Sequence, residues 1–206
     1  MKPEREKSTR TRVYLARHGE VENHASGVYN GRTDVAITDR GRAQMAAIRD
    51  RLPGERLSAL YCSGLLRTRE GMEIIGKGWN LPGKIVPELQ ERSFGEWEGL
   101  TFEGIREHSP RLFAAWREDV NAVRPPGGES LHDLSERVLA AYLPIVERHR
   151  GEAILIVAHG GVNRVILAHA LKMELRGIFR IGQGFGCLNV IDYYDDGFAQ
   201  VTLMNG

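Results

Sequence analysis

The chain predicts an α/β fold, a three-layer α/β/α sandwich around a mainly parallel sheet, and three observations carry that expectation. Short apolar runs at 13–16, 58–62 and 153–158 alternate with helix-patterned stretches at 39–52, 65–76, 130–150 and 162–171, the order that lays helices on both faces of parallel strands. Two of those runs end in His-Gly, at His18-Gly19 and His159-Gly160. The third is composition: 206 residues, 42% hydrophobic and 27% charged, are enough to close one substantial core.

The elements follow in order. Residues 1–12 are polar and mostly charged without periodicity, which reads as a mobile leader ahead of a single domain over 13–206. Thr38 precedes a run of helix formers that stops near Pro53 and Gly54, a capping residue and a breaker in the expected places. A short strand is expected at Ile85 and Val86. Between 95 and 128, short helical pieces lie among polar breakers, the pattern of a lid or substrate-selecting insertion. Ser130 then opens a long amphipathic helix after Pro125, Pro126, Gly127 and Gly128. Near the end, strands at 187–193 and 199–204 flank Asp195-Asp196-Gly197, a hairpin at the sheet edge. The ligand site is expected at the carboxyl ends of the strands.

A formal net charge of +1 gives no surface field for nucleic acid or membrane, so anion recognition must be local and the partner a small phosphorylated metabolite. Cys62 and Cys187 have no paired spacing, and no apolar run suits a signal peptide or a span. Those features fit a cytoplasmic enzyme.

Arg17 and His18 at the end of the first strand make a nucleophile inside an anion pocket. Imidazole is largely uncharged at neutral pH and needs no base to activate it. An arginine fork holds phosphate bidentately, and Gly19 would let backbone N–H groups approach its oxygens. His159, after the strand at 154–158, repeats the layout and should reach the same edge. Arg67, just past a strand and in the first turn of a helix, points over the strand ends. A cysteine phosphatase loop is the competing reading of Cys62 and Arg67. It needs five intervening residues, and four are present. Phosphoryl transfer also needs a proton donor; Glu91, near Phe94 and Trp97, is chosen, with Glu96 and Glu98 as near alternatives. His108, His132, His149 and His169 read as surface residues. The glycines at 182, 184 and 186 read as a flexible loop, since a dinucleotide site needs a strand-to-helix context. No phosphate-binding Gly-Lys-Ser/Thr loop and no metal-ligand spacing occurs, so neither cofactor nor metal is expected.

The chain resembles the histidine phosphatase superfamily, the phosphoglycerate mutase-like group. The resemblance rests on Leu15-Ala16-Arg17-His18-Gly19-Glu20, Ile37-Thr38 with Gly41-Arg42-Ala43-Gln44, and Ser63 through Arg67. It continues with Glu91, Phe94-Gly95-Glu96-Trp97-Glu98-Gly99, Gly127-Gly128-Glu129-Ser130 and Ala158-His159-Gly160-Gly161. It implies that His18 is the phosphorylated nucleophile, that Arg17, Arg67 and His159 bind the phosphoryl group, and that Glu91 is the proton donor. Asn30, Gly31 and Gly160 would border the pocket. The family pattern has an asparagine six residues after the nucleophile, where this chain has His24, with Asn23 one position early. Either His24 donates the same hydrogen bond or the loop shifts to let Asn23 do so.

No lysine lies between Lys84 and Lys172 to grip a second negative group after the acid. Hydrolysis is therefore expected rather than mutase chemistry, with a non-enzymatic phosphate-recognising module as the rival of another class. The segments Gly27-Val28-Tyr29-Asn30-Gly31, Phe94-Gly95-Glu96-Trp97-Glu98 and Phe179-Arg180-Ile181-Gly182-Gln183-Gly184 resemble the alpha-ribazole-5'-phosphate phosphatase group, which implies a nucleotide-like substrate from cobalamin assembly.

Overall fold

The structure, a computed structural model, describes residues 9–52, 54 and 56–206. Six strands form one sheet in the order β3-β2-β4-β1-β5-β6, built from β1 (Arg10–Arg17), β2 (Leu57–Cys62), β3 (Gly83–Ile85), β4 (Ala153–Ala158), β5 (Leu188–Tyr194) and β6 (Ala199–Leu203). The first four are mutually parallel. β5 runs antiparallel to β1, and β6 to β5, which closes the edge with the expected hairpin.

Strand alternation decides the layers. Val13, Leu15, Ile154, Ile156 and Ala158 face one core with α5 (Leu131–Arg148) and α6 (Gly160–Ala170). Tyr14, Ala16, Leu155 and Val157 face another with α1 (Asp39–Asp50) and α2 (Leu66–Gly76). Because successive side chains point to opposite faces, both faces of these central strands are buried and their sequence reads as continuous apolar runs. The sandwich is thus the expected one.

Thr38 caps α1, its hydroxyl accepting from the Gly41 N–H, and Ser130 caps α5 in a reciprocal box with Asp133. Each such cap contributes about 1 kcal/mol. α1 ends at Asp50; Pro53, the proposed breaker, lies outside the described residues, as do residues 1–8 of the leader.

The first strand starts earlier than expected. β1 begins at Arg10, so residues 10–12 belong to the sheet. Arg12 is held by two 2.8 Å hydrogen bonds to the Asp192 carboxylate on β5, and Thr11 is buried. That pairing partner lies 180 residues away, which local charge density does not reveal. The segment 95–128 carries α3 (Phe102–His108) and α4 (Pro110–Glu118) around its own small core of Trp97, Ile105, Phe113 and Trp116.

Candidate active site

β1 and β4 are adjacent and parallel, with Arg17 opposite Ala158, so His18 and His159 leave the sheet side by side. Their rings meet edge-on, centroids 5.3 Å apart. His18 Nδ1 lies 2.8 Å from the Gly19 carbonyl. A carbonyl only accepts, so Nδ1 carries the hydrogen and Nε2 keeps its lone pair. Burial, and then the charges of Arg67 and Arg17, hold the His18 pKa well below the ordinary imidazole value, which keeps the ring neutral.

Gly19 has a further reason, in packing. A Cβ there would come within 2.4 Å of the Gly41 carbonyl oxygen at the start of α1. The glycine permits backbone to pack on backbone, which sets the angle at which the His18 turn leaves β1.

Arg17 donates from Nη1 to the Gln183 carbonyl at 2.5 Å and lies 4.1 Å over the Phe185 ring; its Nε is buried without a partner. Arg67, only 2% exposed, reaches from the first turn of α2 to the carbonyls of Thr33 at 2.8 Å and Gly31 at 2.7 Å. Burial lowers the pKa of both guanidiniums, and Glu91 partly offsets this. Neither forms a salt bridge with a carboxylate among the described residues. Two buried cations so placed demand an anion between them.

His159 is completely buried and does not line the cavity in front of His18. Its Nε2 is 2.8 Å from Ser63 Oγ, and burial followed by Arg67, His18 and Arg17 holds its pKa well below the usual value. Glu91 does line that cavity. Its carboxylate accepts from the Gly161 N–H at 3.0 Å and the Arg92 N–H at 2.9 Å. Phe94 lines the cavity as well, whereas Trp97 is buried in the small core of the 95–128 segment. Glu98 is turned away, bonded to the backbone of Arg32, Thr33 and Phe94.

The cavity holds about 330 Å³. Arg17, His18, Arg67, Glu91 and Gly160 form its charged end, while Tyr29, Phe94, Trp116, Phe179 and Phe185 supply aromatic walls. Asn23, His24, Asn30 and Gly31 border it too. The amides of Asn23 and Asn30 bond each other reciprocally at 2.6 and 2.9 Å, and His24 Nδ1 donates to the Val21 carbonyl at 3.0 Å. This arrangement commits the Nδ1–H of His24 to the backbone and one of the two amide hydrogens of Asn23 to Asn30, leaving the second Asn23 N–H as a donor at the cavity.

Several wall residues were not anticipated. Arg92 is buried between the Phe94 and Trp116 rings, and burial pushes its pKa down to about 10. Arg164 donates from Nε to the Ile181 carbonyl at 2.9 Å and lies on the turn of α6 above Gly160, a helical spacing that the sequence did display. Phe185 and Gln183 come from the glycine-rich loop. That loop is pinned rather than flexible: Gln183 bonds Asn163 and Asn189, Gly184 N–H donates to Asn205, and Gly186 N–H donates to the His18 carbonyl. His149 corrects another expectation. It is buried, with its ring between the Tyr61 hydroxyl at 2.9 Å and Glu152 at 2.5 Å, because α5 ends against β2.

Comparison with known proteins gives the same answer from a separate direction. Residues 13–206 match the model of the histidine phosphatase superfamily, branch 1. The chain is 29% identical to an adenosylcobalamin/alpha-ribazole phosphatase of Salmonella typhimurium, covering 94% of this chain and 96% of that protein. It is 36% identical to a metal-independent phosphoserine phosphatase of Arabidopsis thaliana, over 81% of this chain and 71% of that one. The alpha-ribazole phosphatase of Shigella flexneri superposes with a TM-score of 0.88 at 28% identity, covering 95% of this chain and 96% of that one. Fold, pocket and likeness are those of a phosphatase, and the chain belongs to the histidine phosphatase superfamily, branch 1.

Proposed function

We propose that the chain is a metal-independent phosphomonoesterase that works through a phosphohistidine at His18, with alpha-ribazole 5'-phosphate as its substrate. The observation that carries the chemistry is a neutral His18 whose Nδ1–H is committed to the Gly19 carbonyl, which leaves the lone pair on Nε2, set beside two buried arginines that form no salt bridge among the described residues. The arginines hold the phosphoryl oxygens and offset the charge that builds on them in the transition state. His18 Nε2 attacks phosphorus as the ester P–O bond breaks, and Glu91 in its acid form gives its proton to the leaving oxygen. The Glu91 carboxylate then takes a proton from water, whose oxygen attacks phosphorus. The N–P bond breaks, phosphate leaves, and both residues return to their starting forms.

The substrate reading rests on the cavity's other end and on the relatives. Tyr29, Phe94, Trp116 and Phe179 give the lining there an aromatic character that suits an aromatic base, and two of the similar proteins named above are alpha-ribazole phosphatases. The 95–128 segment supplies Trp116 to this wall and acts as the substrate-selecting insertion. A second reading, a phosphorylated amino acid or small acid, draws on Arg164, which adds a cation to the cavity wall, and on the Arabidopsis relative. Phosphate release in chelator-treated buffer, with kcat/KM for alpha-ribazole 5'-phosphate, phosphoserine, phosphoglycerates and sugar phosphates, tests both. A marked preference for the ribazole ester is expected; a preference for phosphoserine would replace the substrate, and no release from any ester would overturn the chemistry.

A further inference from the structure

Ser63 and Thr68, like His159, are completely buried, and their side chains form a chain behind the histidine ring. Ser63 Oγ is 2.8 Å from His159 Nε2 and 2.9 Å from Thr68 Oγ1. Thr68 Oγ1 in turn donates to the Leu65 carbonyl at 2.8 Å. The far end decides the direction of the whole chain. A carbonyl oxygen only accepts, so the single hydroxyl hydrogen of Thr68 is committed to Leu65. Ser63 must then donate to Thr68, and its lone pairs receive the Leu65 N–H at 3.4 Å and a hydrogen from His159 Nε2. The other ring nitrogen, Nδ1, is buried without any hydrogen-bond partner.

We propose that Ser63 and Thr68 are positioning residues that keep a proton on His159 Nε2, so that phosphate binding charges the ring and His159 holds the phosphoryl group as an imidazolium through Nδ1–H. The inference rests on reading the His18 pocket as the phosphoryl site. With Nε2 protonated, a neutral ring presents only the bare lone pair of Nδ1, which repels phosphate oxygens. The alternative neutral form, with the proton on Nδ1, requires Ser63 to donate to Nε2, and the chain has already spent that hydrogen on Thr68. One proton drawn from solvent onto Nδ1 converts the repulsion into a charge-assisted hydrogen bond.

The surroundings explain why charging waits for the anion. The charges that act on the ring are those of Arg67 on α2, Arg17 and His18 at the end of β1, and Arg137 on α5. Glu91 is the acidic group nearby, its carboxylate on the Gly161 N–H at the start of α6. Without ligand, burial and this cluster of cations keep His159 neutral. A phosphate dianion reverses the local potential and makes the imidazolium the favoured form.

The test is long-range proton–nitrogen NMR on the full chain with nitrogen-15-labelled histidine at about pH 7.5, where imidazole charge is set by its surroundings. Spectra are compared with and without saturating inorganic phosphate. The free protein should show His159 protonated at Nε2 and bare at Nδ1, and the phosphate-bound protein should show both nitrogens protonated. Thr68→Val frees the Ser63 hydroxyl to donate to Nε2, so its phosphate-bound ring should become neutral with the proton on Nδ1, while Thr68→Ser should behave as the wild type. A neutral His159 in the wild-type phosphate complex, or a Thr68→Val spectrum identical to wild type, would overturn the inference and leave the site reading standing. If neither His18 nor His159 responds to phosphate, the site reading fails and takes the inference with it.

Discussion

Glu91 and Gly161 lie seventy residues apart in sequence and meet at 3.0 Å, the Gly161 N–H donating to the Glu91 carboxylate. The contact locks the proposed proton donor against the same helix start that follows His159. A Cβ on residue 161 would approach Glu91 Oε1 to 2.4 Å, so this carboxylate has its place because residue 161 has no side chain. Gly161→Ala should push the carboxylate aside and lower kcat about a hundredfold, the scale of lost general acid–base catalysis, with little change in phosphate affinity. Steady-state kinetics beside a phosphate inhibition constant would check it; unchanged kcat would remove Glu91 from its role.

His18→Ala should abolish both turnover and labelling of the protein by a radiolabelled ester, a loss on the order of ten-thousandfold or more for a missing nucleophile. Acid-quenched labelling distinguishes this from a general loss of binding. Substantial residual activity would refute the phosphohistidine route.

Arg67 should matter for every ester alike, because it faces the phosphoryl group rather than the rest of the substrate. Arg67→Met should reduce kcat/KM by about a hundredfold or more across a substrate panel, the size seen when one charge-stabilising donor is removed. A loss confined to one substrate would place the residue in the specificity wall instead.

Phe179, 57% exposed and lining the cavity, is removable without opening the core. Phe179→Ala should lower kcat/KM for alpha-ribazole 5'-phosphate about tenfold through lost stacking and leave a small aliphatic phosphate ester unaffected. Equal losses on both would argue against a base-stacking wall.

Stability should fall in mild acid. His18 and His159 are both held well below their unfolded values, so the unfolded chain binds protons that the folded chain refuses. The stability they confer is complete above about pH 6.5, the unfolded imidazole value. It is lost as pH drops from there toward each ring's folded pKa, at about 1.4 kcal/mol per pH unit for each ring. Urea unfolding between about pH 8 and pH 5 should show this slope, and His159→Gln should flatten it. A midpoint independent of pH across that window would show that the rings bind protons equally in the folded and unfolded chain.

By itself the sequence determined the layering, most of the element boundaries and the ends of the strands that carry chemistry. Continuous apolar runs such as Ile154 to Ala158, the caps Thr38 and Ser130, and the two His-Gly strand ends are local patterns, written in neighbouring residues and readable there. Five residues named on that basis, Arg17, His18, Arg67, Glu91 and His159, come together in the structure. Tertiary structure alone decided the rest. That Arg10, Thr11 and Arg12 are strand rather than leader depends on pairing with β5, where Asp192 holds Arg12, and that Gly19 and Gly161 must be glycines depends on Gly41 and Glu91. The same holds for Arg92 between two aromatic rings, His149 against Tyr61, and Ser63 and Thr68 behind His159. Each of these is a contact between residues distant in the chain, and the hydrogen-bond direction, burial and charge that give them meaning exist only once folding has brought the partners within reach.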